Sequence, residues 1–261
     1  MKIVFLVLLS MISVYGGWAE SILPYSSGKH TPFPPTKLDY ILSWNGAINS
    51  GKLTLELGKH DRRYPDVFLT HSYGRSTGAA YALFPYTFTF TSFAQLHTHR
   101  PLIFVANEKD RKETIDTKNS YKPPGIHHYS KTVETKDQQV HIKDHNFAAR
   151  AVHDPITAML AIRKQPLHNG DTEQLCCHPF ASPYLISIKV LGREKHLDRD
   201  CIKLDIQIRK IDKKTAKLKD YKKLKKATMW ISDDSQRIPI ELRSKVFIGD
   251  VRATLVKQTP L

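Results

Sequence analysis

Ile202-Lys203-Leu204-Asp205-Ile206-Gln207-Ile208-Arg209 alternates apolar and polar side chains at every position. Successive side chains of a strand point to opposite faces, so a period of two places the four aliphatic residues on one face and the four polar ones on the other. A strand buried on one side and wet on the other belongs to an antiparallel sheet; strands of a parallel sheet are apolar on both faces. The same grammar recurs along the chain. Tyr40, Leu42 and Trp44 alternate with Ile41, Ser43 and Asn45. After the Asn49-Ser50-Gly51 break, Leu53, Leu55 and Leu57 alternate with Thr54 and Glu56, which is a hairpin signal. Phe88 and Phe90, Val140 and Ile142, and the run Tyr184, Ile186, Ile188, Val190 repeat it. Toward the C-terminus come Ile238-Pro239-Ile240-Glu241-Leu242, Val246-Phe247-Ile248, a Gly249-Asp250 turn, then Val251, Ala253 and Leu255. These rules give roughly twelve strands. So many one-sided strands bury their apolar faces most simply by curling together. The expected fold is mostly β, an antiparallel barrel-like or wrapped sheet, since closure also removes sticky edges.

One segment departs from the pattern. Asp154-Pro155-Ile156-Thr157-Ala158-Met159-Leu160-Ala161-Ile162-Arg163 has helical spacing, with Asp154 suited to the N-cap and Pro155 to the first helical position. Pro166 and Gly170 end it. One short helix in a β chain reads as a plug across one end of the barrel, serving as a structural cap or, alternatively, a gate.

The N-terminus has a charged Lys2, an apolar run from Ile3 to Val14 and a small-x-small end at Gly17-x-Ala19. This predicts a signal peptide over 1–19, cleaved after Ala19, since the run is too short to span a bilayer. Residues 20–37 carry Pro24, Pro32, Pro34 and Pro35 and read as a Pro-rich leader, so the single domain is expected over 38–261. The expected location is the periplasm or outside of a bacterial cell, with no membrane span in the mature form. The chain of 261 residues holds 40 Lys and Arg against 25 Asp and Glu, a formal charge of +15. Such a field favours anionic partners. In that compartment these are anionic lipid or acidic cell-wall polymer, and nucleic acid is not expected.

Three blocks carry a resemblance: Leu38 to Gly46 with Gly51 to Leu55; Asp154 to Arg163 with Leu167 and Gly170; and Met229-Trp230-Ile231-Ser232-Asp233-Asp234 with Arg237 to Ile240 and Gly249 to Leu255. Their order and spacing resemble the exported bacterial proteins grouped as domain of unknown function 3108. The resemblance implies a periplasmic, mostly β, barrel-like domain and brings no reaction with it. The Lys-rich insert and the His-rich middle depart from the family pattern.

Four motifs invite a site. Gly74-Arg75-Ser76-Thr77-Gly78 matches G-x-S-x-G, which as a nucleophile elbow needs a strand–turn–helix on an α/β sheet; in a β chain it reads as a turn, with a Ser76 hydrolase as the alternative. His97 and His99 would share a strand face, but no carboxylate or Cys stands at ligand spacing with them. His127, His128, His141, His145 and His153 crowd the same part of the chain. No metal set and no cofactor are therefore assigned. Cys201 with Cys176 or Cys177 could form a disulfide in an oxidising compartment, or all three could stay reduced. Lys210 to Lys226 reads as a basic hairpin tip, with Lys213, Lys214, Lys222, Lys223, Lys225 and Lys226 as the anionic contact or as a solvated loop. The function expected is a non-enzymatic envelope protein that binds or scaffolds. A purely structural wall-associated domain is a further alternative. Tyr40, Leu42, Trp44, Phe88, Phe90, Ile202, Leu204, Ile206 and Ile208 are the expected inward set, around an interior that is partly hollow.

Overall fold

The computed structural model describes residues 17–25, 33–59, 61–122, 125–221, 226–245 and 249–261. The strands are β1 (Thr36–Trp44), β2 (Ile48–Lys59), β3 (Val67–Ser76), β4 (Thr87–Gln95), β5 (Pro101–Lys109), β6 (Glu113–Lys122), β7 (Gly125–Glu134), β8 (Val140–Ala148), β9 (Thr172–Cys177), β10 (Tyr184–His196), β11 (Arg199–Ile211), β12 (Leu218–Asp220), β13 (Lys226–Ser232), β14 (Pro239–Lys245) and β15 (Asp250–Pro260). The helices are α1 (Trp18–Ser21), α2 (Gly78–Leu83) and α3 (Pro155–Arg163). The expected Val246-Phe247-Ile248 stretch and the signal-peptide run up to residue 16 lie outside the described residues.

All the strands form one antiparallel sheet in the order β8-β7-β6-β5-β4-β3-β2-β1-β15-β14-β13-β11-β10-β9, with β12 added to β11. Nearly every pair is a sequence-adjacent hairpin. The exception that makes the curl is β1 with β15, where Tyr40 faces Leu255 and Leu42 faces Ala253. The sheet is not closed, and its edges overlap. Ile186 faces the interior, so its neighbour Leu185 points outward, yet Leu185 is buried. Phe104, Ala106, Tyr121, Ile126 and Phe147 of β5–β8 cover it, together with Trp18, Ala19 and Ile22. Hydrogen bonds cross the overlap: Tyr121 Oη donates to the His178 carbonyl at 2.8 Å, and Asn119 Nδ2 to the His178 and Pro179 carbonyls at 2.9 and 3.0 Å. The free edge of β9 is covered too, by Leu23 N–H on the Gln174 carbonyl and His153 N–H on the Cys176 carbonyl, both 2.8 Å. A buried edge left unpaired would hold orphan polar groups.

The segment expected as a detached leader is partly core. Ile22 and Phe33 are buried, and the Tyr25 hydroxyl both donates to the Val152 carbonyl at 2.6 Å and accepts from its N–H at 2.8 Å. Prolines disfavour a long regular element, but they leave these large side chains free to fill gaps between elements. Trp18 Nε1 donates to the Ala216 carbonyl at 2.8 Å. A chain beginning at Glu20 would keep the Ile22 and Leu23 contacts and lose that bond.

α3 lies inside the roll, across one end. Asp154 caps it, accepting from Ile156 N–H at 2.8 Å and Thr157 N–H at 3.0 Å, while Thr157 Oγ1 accepts from Asp154 N–H at 3.1 Å. At its far end Arg163 donates to the Gln236 and Ser235 carbonyls of the β13–β14 turn, and Lys164 to the Thr98 carbonyl of the β4–β5 turn. α3 is thus the floor of the barrel. Its burial is not confined to one face: Leu160 packs toward β1–β3, whereas Ala158 and Ile162 pack toward β9–β11. A helix enclosed by a sheet has apolar wall on several sides.

Candidate ligand cavity

Above the floor the interior is not filled. A cavity of about 400 Å³ lies between α3 and the inner faces of β9, β10, β11, β13 and β14. Its walls come from the alternation itself. Leu204, Ile206 and Ile208 line it from β11, opposite Val190, Ile188 and Ile186 of β10, of which the last two line it as well. Met229 and Leu242, facing each other across β13 and β14, close the other side. Ala158, Met159 and Ile162 of α3 make the floor. Depth follows the strands. Ile188 and Leu204 are buried toward the floor, while Tyr184, Ile186, Ile208 and Ser244 are half-buried toward the opposite end of the same strands. That end is the mouth. There the Tyr184 and Tyr221 rings meet edge to face at 4.9 Å, and burial pushes the Tyr184 hydroxyl up to about 12. Lys210, next in the β11 row after Ile208, pairs with Tyr184 and is exposed.

Two guanidiniums border the floor. Arg163 stacks over the Phe33 ring at 4.4 Å, and Arg237 donates to the Arg163, Gln165 and Pro166 carbonyls. Burial first, then the neighbouring Arg237, pull the Arg163 pKa down to about 10. Among the described residues neither pairs with a carboxylate. They tie α3 to the turn at Ser232–Arg237, which is built by Ser232 and Asp234: Asp234 Oδ1 accepts from the Gln236 and Arg237 N–H groups at 2.9 Å, and Ser232 Oγ accepts from Ile238 N–H. The W-I-S-D-D motif is therefore a turn that anchors the floor.

Ser76 is tied into the β3–β4 hairpin. It ends β3, and its hydroxyl accepts from Tyr86 N–H at 2.9 Å and reaches the Tyr86 carbonyl at 3.4 Å. A strand, a turn and α2 do follow one another here, but on an antiparallel sheet, and among the described residues no histidine is bonded to Ser76. The glycines of the motif have structural reasons. A Cβ on Gly74 would lie 2.6 Å from the Lys52 carbonyl and 2.7 Å from the Phe88 ring, and Gly78 has φ +58°.

His97 and His99 do not share a strand face. Both lie in the β4–β5 turn, where His99 takes φ +57° and packs on Phe68 at 4.6 Å between ring centroids. The histidines that meet are His128, His145 and His178, with centroids 4.7 to 5.7 Å apart. His128 Nδ1 donates to Asn119 Oδ1 at 2.7 Å, and its Nε2 meets Ser130 Oγ at 3.1 Å. Asn119 spends its amide protons on carbonyls, so His128 is the donor at Nδ1. Sequence reasoning missed this trio because His178 comes from the far edge of the sheet.

The basic run is a strap as well as a tip. Lys213 Nζ lies 3.1 Å from His145 Nε2 and 3.4 Å from the Ala181 carbonyl, across the overlap between β8 and β9. Asp212 folds the turn, accepting from Lys214 N–H and Thr215 N–H and pairing with Lys219 at 2.6 Å. Lys214 is exposed, Lys226 pairs with Asp205 at 3.2 Å, and Lys222, Lys223 and Lys225 lie outside the described residues.

A disulfide from Cys201 to Cys176 or Cys177 is ruled out by register. Cys177 faces Tyr184 and Cys201 faces Glu194, ten positions apart along the strand between them. At roughly 3.3 Å per residue that is about 30 Å, far beyond the reach of about 7 Å between Cα atoms. All three cysteines are free and buried, and burial pushes each thiol up. Maleimide treatment of the native protein should label none of them within minutes, and treatment in denaturant should label all three without reductant.

No curated protein matches the chain in sequence. The family model for DUF3108, a protein of unknown function, matches residues 39–256, and the chain belongs to that family. In fold it is similar to the crystal structure of a beta-barrel-like protein of domain of unknown function DUF1849 from Brucella abortus, at TM-score 0.57 and 11% identity, covering 88% of this chain and 99% of that one. A "putative lipoprotein" from Parabacteroides distasonis matches over 88% of this chain and 97% of that one, at 5% identity and TM-score 0.31. No helix among the described residues is long and apolar enough to cross a membrane.

Proposed function

We propose that this is a non-enzymatic protein of the bacterial cell envelope, exported by its N-terminal apolar segment, whose barrel binds an apolar ligand. The cavity carries this reading. Protein interiors are close-packed, and a space of about 400 Å³ walled by Leu204, Ile206, Ile208, Met229 and Leu242 is within the size of small-molecule sites. Empty apolar space costs stability in proportion to its volume, so a filled state is favoured. Neither a paired nucleophile nor a family activity speaks for catalysis.

The test is binding of a fluorescent apolar probe such as N-phenyl-1-naphthylamine to the full chain. Ile186→Trp and Met229→Trp fill the cavity from its half-buried side and should weaken the probe at least tenfold, with folding intact by circular dichroism. Thr228→Trp, on the opposite face of β13, should bind as the parent does. Equal binding by all three would refute the cavity as the site.

A further inference from the structure

The rim at the mouth end carries a second feature that the cavity does not use. α2 sits on this rim with none of its residues buried. Thr77 N–H, its N-cap, donates to the Ser50 carbonyl at 3.0 Å, which seats the helix beside the start of β2. Tyr81, Leu83 and Phe84 are 53%, 66% and 76% exposed, and Ile48 at the start of β2 is 62% exposed. Single exposed apolar residues are ordinary, but four large ones gathered on one rim are a patch that asks for a partner.

The charges beneath the patch say which partner. Lys52, Arg75 and Lys109 stand in one row across β2–β5, in register through Thr87. Gly51, Gly74, Ser76 and Phe88 alternate with this row and face inward, so the row lies on the outer surface just below α2. Arg111 joins it from the β5–β6 turn, donating to the Ala82 carbonyl of α2 at 2.8 Å, and Lys112 follows. All five cations are exposed, and among the described residues none pairs with a carboxylate. Two of the nearby acids have other partners. Asp110 accepts from the Lys112 and Glu113 N–H groups of its own turn, and Glu108 takes the Tyr86 hydroxyl at 2.5 Å on the inner face.

We infer that this rim docks on an anionic lipid bilayer, with Tyr81, Leu83, Phe84 and Ile48 in the headgroup–acyl boundary and the five cations against the lipid phosphates. Apolar side chains flanked by basic ones are what such a surface binds: the first partition into the interface, and the second are drawn by its negative potential. A second copy of this chain fits worse, because a face-to-face pair would set one cationic row against the other. The inference does not depend on the cavity reading, although the mouth opens at the same end.

The experiment is flotation of the full chain with vesicles of phosphatidylglycerol and phosphatidylcholine, and with phosphatidylcholine alone. Binding is expected to the anionic vesicles only, weakening as salt rises within the screening range. The double variant Leu83→Asp, Phe84→Asp should lose at least tenfold in affinity. The triple variant Lys52→Gln, Arg75→Gln, Lys109→Gln should lose a similar factor and most of the salt dependence. Lys189→Gln, Lys195→Gln, Lys257→Gln, exposed and away from this rim, should bind as the parent does. All these side chains are exposed, and circular dichroism checks that the variants fold. If the rim variants bind like the parent, or the control triple loses as much, the rim is not a docking surface. If the parent does not float and Phe84→Asp instead converts a dimer to a monomer in sedimentation velocity, the patch belongs to self-association and the inference is wrong.

Discussion

Acidification from pH 7.5 to pH 4.5 is expected to lower the urea midpoint of this protein steeply, with most of the loss below pH 6.5. Four buried or half-buried histidines meet at or beside the overlap of the sheet edges. Burial, followed by neighbouring His145, pulls His128 down to about 4; burial, followed by Lys164, pulls His153 to about 4. His178 lies well below its ordinary value and His145 is lowered too, each first by burial, then by His128 and by Lys213 respectively. In the unfolded chain each would take a proton near pH 6.5, while the folded protein resists until near pH 4 for His128 and His153. The unfolded state therefore binds more protons across this window, and stability falls as pH falls through it. For His128 and His153 the shift amounts to roughly 3 kcal/mol each once pH is below both values. That is a large part of a typical domain's stability of about 5–15 kcal/mol. Protonation of His145 also removes the acceptor that Lys213 uses across the overlap. Asp154, raised by burial, acts in the opposite sense and offsets a part. Urea titrations followed by tryptophan fluorescence at unit pH steps check this, with His128→Gln expected to flatten the curve. A midpoint independent of pH between 7.5 and 4.5 would show that the trio is not buried in the neutral form.

Asp154→Ala should be the most damaging single polar substitution, costing about 2–4 kcal/mol. The carboxylate is fully buried and accepts four hydrogen bonds: from Ile156 N–H, from Thr157 N–H, from Thr157 Oγ1 at 3.1 Å and from Ser92 Oγ at 3.0 Å. Loss of a helix cap alone costs about 0.5–2 kcal/mol, and each buried donor left without a partner about 1–3 kcal/mol. Asp154→Asn keeps an acceptor at the cap and should cost less than half as much. The two variants are compared by the same urea titration. Because α3 is the floor of the cavity, probe binding should fall with Asp154→Ala and persist in Asp154→Asn.

The strands were legible because alternation is a local property. Leu204, Ile206 and Ile208 declare one face of β11 without reference to any other part of the chain. The capping box at Asp154-Pro155-Ile156-Thr157 is equally local, and the helix over Pro155–Arg163 forms where that pattern places it. The partners of Ser76, Lys213 and His178 were not legible. Ser76 meets the Tyr86 backbone through the register of the β3–β4 hairpin, while Lys213 and His178 touch residues brought in by the curl of the sheet: His145, and His128 with its neighbours. The prolines before Leu38 suggested an extended leader and concealed that Ile22 and Phe33 are core.

The sequence by itself determined which face of each strand is apolar, that neighbouring strands run antiparallel, and where the one capped helix of the middle of the chain stands. Only the tertiary structure decided that the sheet rolls over its own edge rather than closing, that Cys177 and Cys201 end up at opposite ends of β10, and that one half of the interior is packed while the other is hollow. The physical reason is that period two specifies a direction for each side chain and nothing about curvature. Curvature comes from the summed twist of many strands and from what the roll must enclose, here α3, and both depend on residues far apart in the chain.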